Sequence, residues 1–119
     1  YSNKLDYQIG LSRSEFRDGG WSTPKRVRLK GFNPKTGFLS FYVDDDVGVM
    51  LISFSSSIAV DEDLYVSLKE DGRWQKPIHL GPTINTPGAE FSPYLSDDGR
   101  VLYFSSNGHP GLGHARVGF

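Results

Sequence analysis

The chain has 119 residues, with 13 Lys and Arg against 14 Asp and Glu, so its net charge of −1 gives no basic excess pointing to nucleic acid or an anionic membrane. It contains no Cys, which excludes disulfides and thiol chemistry, and no apolar run near the roughly 20 residues a membrane helix needs. Its hydrophobic residues, 37% of the total, fall in short runs between 14 Gly and 7 Pro, a composition that suits many thin strands joined by frequent turns. The first residue is Tyr1, with no signal peptide behind it, and this reads as a piece of a longer protein.

In chain order, alternation and turn residues predict a strand over 5–12, then a polar turn over 14–20 that ends in Asp18-Gly19-Gly20. A short strand over 26–29 puts Val27 and Leu29 on one face. The dense apolar run 38–43 leads through Asp44-Asp45-Asp46 into a strand over 49–55. The next strand is 64–68, followed by Asp71-Gly72, a dipeptide favoured in tight hairpins because the turn needs positive φ. A short strand over 78–80 precedes a Pro-, Thr- and Asn-rich loop over 82–88. Strands over 90–95 and 100–105 flank the Asp98-Gly99 turn, a Gly/Pro loop covers 107–113, and 115–119 is a last strand. No amphipathic stretch is long enough for a helix.

The chain repeats itself. Residues 6–11 (Asp-Tyr-Gln-Ile-Gly-Leu), 63–68 and 114–119 read as equivalent strands, whose starts lie 57 and 51 residues apart. Trp21-x-x-Pro24 recurs as Trp74-x-x-Pro77, 53 residues on. Asp44-Asp45-Asp46 feeds a strand ending Phe54-Ser55-Ser56, and Asp97-Asp98-Gly99 feeds one ending Phe104-Ser105-Ser106. This divides the chain into a repeat at about 6–62 and another at about 63–119. Four short strands in a unit of about 50 residues match the blade of a β-propeller. A two-sheet sandwich is the competing all-β fold, but it does not require these landmarks to recur in order. The expected fold is therefore all-β, about two four-stranded antiparallel blades of a larger propeller. Two blades cannot close a ring, so the expected partners are other blades, from the same chain or another.

From Asp63 onward the residues resemble the WD40-like, or PD40, β-propeller repeat of TolB-type periplasmic proteins and of OmpA-family envelope proteins of Bacteroidetes-like bacteria. The resemblance rests on Asp63-Leu64-Tyr65-Val66-Ser67 with Trp74-x-x-Pro77 and on Leu80-Gly81-Pro82-x-Ile84-Asn85. It continues through Glu90-Phe91-Ser92-Pro93-x-Leu95-Ser96-x-Asp98-Gly99, Leu102-Tyr103-Phe104-Ser105-Ser106 and Gly108-His109-Pro110-Gly111. It covers about half the chain. The first copy departs from it, with Phe38, Phe41 and Val47 where the second has Glu90, Pro93 and Gly99. The resemblance implies a propeller in the periplasm or cell envelope, associated with the outer membrane but not embedded in it, with envelope proteins as partners. It implies no reaction.

Each residue that could carry chemistry has a plainer structural reading. Trp21 and Trp74 could stack on a sugar ring, but recurrence in both copies favours rings that seal the contact between adjacent blades. Asp98, in Asp97-Asp98-Gly99, could suggest Ca²⁺, yet the spacing lacks a distal bidentate Glu and a hairpin turn suffices. Asp44-Asp45-Asp46 together with Asp61, Glu62 and Asp63 could form a cation site, but carboxylates in a turn diverge into solvent. Glu90 precedes a strand expected to line the propeller channel. A catalytic carboxylate there wants a second acid at defined separation, and the other copy offers Phe38. An acceptor for backbone N–H groups is the favoured role. The three histidines are His79, His109 and His114; the last two are five residues apart across flexible glycines, too few for a zinc site. The serines at 53–57 and 105–106 read as polar strand ends rather than a sugar-binding rim. No catalytic, cofactor or metal residue emerges. The reading is of a non-enzymatic propeller segment for scaffolding or protein recognition. Two alternatives stand beside it: a carbohydrate-active or sugar-binding propeller, and a small lectin in which several identical chains build one ring.

Overall fold

The computed structural model describes residues 9–34, 36–56 and 61–109. Over them the protein is all-β, with no helix. Residues 5–8 of the strand expected over 5–12, the strand expected at 115–119, and His114 lie outside the described residues.

Three layers stack in chain order. The first pairs β1 (Leu11–Arg13) antiparallel with β4 (Lys25–Val27), Leu11 opposite Val27. Between them β2 (Phe16–Arg17) and β3 (Gly20–Trp21) form a hairpin. Its turn is Asp18-Gly19, with φ of 53° and 80°. Glycine takes a left-handed φ without a Cβ clash, and Asp is one of the few side chains that tolerate it. The polar turn expected over 14–20 is therefore only two residues long, and the residues either side of it are already paired.

The middle layer is a meander of β5 (Phe38–Asp44), β6 (Val49–Ser55) and β7 (Asp63–Glu70), with β8 (Arg73–Trp74) and β9 (Ile78–His79) both on the far edge of β7. The long strands arise where β-branched and aromatic residues run on without a turn former. Met50 through Ser53 of β6 are all buried, so this strand is covered on both faces. Met50 and Ile52 join Leu11, Leu29 and Trp74 in a core against the first layer, with Phe32, Phe54 and Tyr65 packed around it. Ser53, on the opposite face, donates from Oγ to the Glu90 carbonyl of the third layer at 2.9 Å. That layer is the hairpin of β10 (Glu90–Leu95) and β11 (Leu102–Ser106). Its ladder slips between Phe91 and Tyr94, where Ser92 has φ 54° and Pro93 has no N–H to donate.

The layers repeat more regularly than the sequence does. Phe16↔Trp21, Arg17↔Gly20 and Ser12↔Arg26 in the first layer become Lys69↔Trp74, Glu70↔Arg73 and Tyr65↔His79 in the second, each 53 residues on. Ser14 Oγ donates to the Ser22 carbonyl at 2.5 Å, and Ser67 Oγ to the Gln75 carbonyl at 2.6 Å. The turn Asp71-Gly72 has φ of 52° and 77°, matching Asp18-Gly19.

Two expectations are corrected by this register. Leu11, rather than Tyr7, is the counterpart of Leu64, so the strand offset of 57 becomes 53. Ladder pairing also sets Phe91, opposite Ser105, over Phe38, opposite Ser55; Glu90 then falls on Gly37, one residue from the expected Phe38. The sheets are out of phase with the expected repeats as well. β6 pairs with β7 from Val49↔Leu68 to Phe54↔Asp63, across the boundary at 62/63. The described residues thus give one complete meander, flanked by the counterpart of its last strands (β1–β4) and the counterpart of its first two (β10–β11), rather than two complete ones.

Candidate functional site

A polar cluster forms where the loop 81–88 and the segment 105–109 meet at Glu90. The loop is pinned at its start by the Leu80 N–H on the Leu64 carbonyl and by the Ile84 and Asn85 N–H groups on the Gly81 carbonyl. The Asn85 side chain then acts like a strand residue. Its Oδ1 accepts the Leu64 N–H at 2.7 Å and its Nδ2 donates to the Leu64 carbonyl at 3.0 Å. Glu90 closes the loop. Its N–H donates to the Glu62 carbonyl at 2.8 Å, and its side chain is fully buried.

The Glu90 carboxylate accepts three hydrogen bonds, from the Thr86 N–H at 3.0 Å, the Thr86 hydroxyl and the Ser106 hydroxyl at 2.8 Å. Ser106 Oγ in turn accepts the N–H groups of Gly108 and His109. Asn107 Oδ1 accepts the Ala89 N–H at 2.8 Å. The glycines here are steric necessities, because a Cβ on Gly88 would run into Asn107 Oδ1 and the backbone of Gly108. His109 Nε2 lies 2.6 Å from the Ile84 carbonyl, so it carries the proton and donates, and the ring stands edge-on to Phe104 at 5.6 Å. A carboxylate that is buried and surrounded by three donors holds the loop to the hairpin. The His109 ring is turned to the Ile84 carbonyl, and among the described residues no hydrogen bond joins the ring to Ser106 as a nucleophile–base pair.

The other expected residues do not gather here. Asp98 sits at the β10–β11 turn, where its Oδ1 accepts from Ser96 Oγ at 2.7 Å and from the Arg100 N–H at 3.0 Å. The Ser96 hydroxyl, and then the Arg100 amide, hold its carboxyl below the usual 3.8. The acidic runs are divided among separate tasks. Asp44 Oδ1 caps the Val47 N–H, and Asp45 pairs with Lys69 at 2.8 Å, which lowers its pKa. Asp63 Oδ2 meets His79 Nε2 at 2.9 Å. Among the described residues no three His, Asp or Glu side chains come together as a metal site.

Trp74 is 9% exposed in the core between the first two layers, its carbonyl accepting the Lys30 N–H at 3.1 Å and its ring lying under Lys69 Nζ. Trp21, its counterpart, is 73% exposed and touches Phe16 edge-on at 5.2 Å. The sealing role expected of both rings is not met at Trp21, because nothing among the described residues lies behind the β2–β3 hairpin as the first layer lies behind β8.

Two features escaped the sequence reading. His79 is held at both ring nitrogens: Nδ1 accepts the Gly81 N–H at 3.1 Å and Nε2 faces Asp63, with Tyr65 edge-on at 5.2 Å. Burial, then Asp63, pushes the Tyr65 phenol up. Only the three-dimensional pairing of β7 with β9 brings these residues together. The second feature is an open cleft of about 1320 Å³ between the first layer and the β7–β8 turn. One wall carries Lys25, Arg28 and Lys30, and the other Glu70, Asp71 and Arg73. Clustered Lys and Arg at 25–30 were the available signal, hidden by a net charge near zero. No protein-family model, curated protein or solved structure matches the chain.

Proposed function

We propose that each layer is a blade, or part of one, of a β-propeller, and that the chain is a rigid, non-enzymatic scaffold for protein recognition in a bacterial envelope protein. The observation that carries the reading is the recurrence of ladder register at 53 residues between two layers stacked face to face. The likeness of 63–111 to the envelope propeller repeat supplies the compartment and the envelope partners. The basic wall of the cleft, Lys25, Arg28 and Lys30, suits an acidic segment of such a partner.

The carbohydrate-active reading needs paired acids, and the three donors gathered on the buried Glu90 carboxylate argue for an anchor instead. The test is hydrolysis of a glycoside panel by the chain and by Glu90→Gln. The anchor reading expects no turnover, and a stability loss of about 1–3 kcal/mol in the variant, because an amide turns two donors toward groups that themselves donate. Turnover by the parent that vanishes in Glu90→Gln, with the unfolding midpoint unchanged, overturns it.

A further inference from the structure

Both walls of the cleft between the first layer and the β7–β8 turn are fixed by backbone contacts. At its floor Leu29 and Trp74 form a parallel β-bridge, and the Lys30 N–H donates to the Trp74 carbonyl at 3.1 Å. The Phe32 N–H donates to the Leu29 carbonyl at 3.1 Å, which holds the turn beyond. The facing wall is the Asp71-Gly72 turn, below which the Gln75 N–H donates to the Leu68 carbonyl at 2.8 Å.

Charge is segregated in this cleft. Six Lys and Arg line it against only Glu70 and Asp71, in a chain whose net charge is −1. Arg13 is paired with Glu15. The other five, Lys25, Arg26, Arg28, Lys30 and Arg73, have no ion-pair partner among the described residues. Like charges held together repel, and an anionic group in the cleft relieves that repulsion.

The basic wall also has a repeat. Val27 and Leu29 pack into the core, and the alternating residues Arg26, Arg28 and Lys30 are exposed. Alternate residues of an extended chain share a face and lie roughly 6–7 Å apart. An extended peptide with an acid at every second position repeats its carboxylates at the same interval. Its intervening residues turn to the opposite wall, where Glu70 and Asp71 outnumber Arg73. The cleft volume, about 1320 Å³, exceeds the roughly 300–1,000 Å³ of small-ligand sites, so a length of chain suits it better than a single anion. A nucleic-acid strand suits it less, because bases want exposed rings to stack on. Here Trp74 is buried and Phe32 stands edge-on to Phe54 at 5.1 Å.

We infer that this cleft binds an extended segment of a partner protein, with acidic residues at alternate positions against Arg26, Arg28 and Lys30 and basic residues between them against Glu70 and Asp71. The inference deepens the protein-recognition reading above and rests on it. The two walls of unlike charge set the register, since a shift by one residue brings acids onto acids and bases onto bases.

The experiment uses the 119-residue chain and fluorescently labelled peptides at low ionic strength. One peptide alternates Glu and Lys over about eight residues, and its isomer of the same composition carries the Glu in one block and the Lys in the other. The alternating peptide is expected to bind about tenfold more tightly than the isomer, and Arg28→Glu to remove that advantage. Replacing a central Glu of the alternating peptide by Lys is expected to restore its binding to Arg28→Glu while weakening its binding to the parent. Tryptophan emission unchanged between parent and variant shows that the walls are intact. Equal binding of the two isomers, binding indifferent to Arg28→Glu, or no binding at about 1 mM peptide overturns the inference and leaves recognition through another surface standing. A single-stranded DNA oligomer or a sulfated oligosaccharide that binds more tightly than the peptide, and loses that binding in Arg28→Glu, overturns the inference and the protein-recognition reading together.

Discussion

Trp74 and Trp21 occupy the same ladder position 53 residues apart, and only Trp74 is covered. The energetic consequence is a split between two identical substitutions. Trp74→Ala removes a ring packed on Leu11, Leu29, Met50 and Ile52, and should cost about 3–5 kcal/mol in urea unfolding. Trp21→Ala, measured on dilute chain, should stay within about 0.5 kcal/mol. Equal losses would mean that the exposed ring is buried in solution even without a partner. The Trp-x-x-Pro motif was legible as a recurring structural residue, but exposure was not, because it depends on what another layer places opposite. Asp98 illustrates a purely local effect. Its carboxyl is held down by the Ser96 hydroxyl and the Arg100 amide, so its support of the β10–β11 turn is present above the unfolded pKa and is lost as pH falls through the lowered folded value. The Asp98 carboxylate signal should titrate below 3.8, and Ser96→Ala should move the midpoint up toward 3.8. A midpoint unchanged by that substitution would remove the hydroxyl as the principal cause.

At the scale of elements, the sequence resolved strands long enough to show a pattern. β5, β6, β7, β10 and β11 carry five to eight residues each, and all were placed within two residues of their ends. Among the two-residue strands β9 was anticipated within 78–80, whereas β2, β3 and β8, each beside an Asp-Gly turn, went unseen. The slip from 57 to 53 has a related origin. Asp6-Tyr7 imitates the acidic-then-aromatic start of Asp63-Leu64-Tyr65, while the true counterpart, Gly10-Leu11-Ser12, keeps only the buried leucine. Asn85 shows a loop doing the work of a strand. Its amide satisfies both backbone groups of Leu64, at 2.7 and 3.0 Å, in a buried setting. The Leu64 carbonyl has a second donor in the Leu80 N–H, whereas Asn85 is the partner of the Leu64 N–H. Asn85→Ala should therefore cost about 1–3 kcal/mol, the penalty of a stranded buried donor. Double-mutant analysis with Thr86→Ala should show coupling, because both residues hold the same loop against β7 and Glu90. Strict additivity would place Asn85 outside that network.

At the scale of the whole molecule, stability should fall off from the middle outward. The middle layer is sandwiched on both faces, whereas the first layer owns two short ladders and only a few buried apolar side chains, Leu11 and Leu29 foremost. Two-stranded pieces of that size are marginal in water unless they pack on a neighbour. Stacked units of this kind gain most of their stability from nearest-neighbour contacts, and here Trp74 is the largest side chain in the contact. Hydrogen exchange should make this visible. In the parent, the amides of β1, β4 and β6 should all be protected. In Trp74→Ala, the β1–β4 ladder should exchange at least tenfold faster than in the parent, while Leu51, Ile52 and Ser53, still covered by the β10–β11 hairpin, keep most of their protection. The alternative outcome is a uniform acceleration across all three layers. That result would make the molecule one cooperative unit in which Trp74 is a core residue like any other, and it would remove the physical basis for treating the layers as separable repeats.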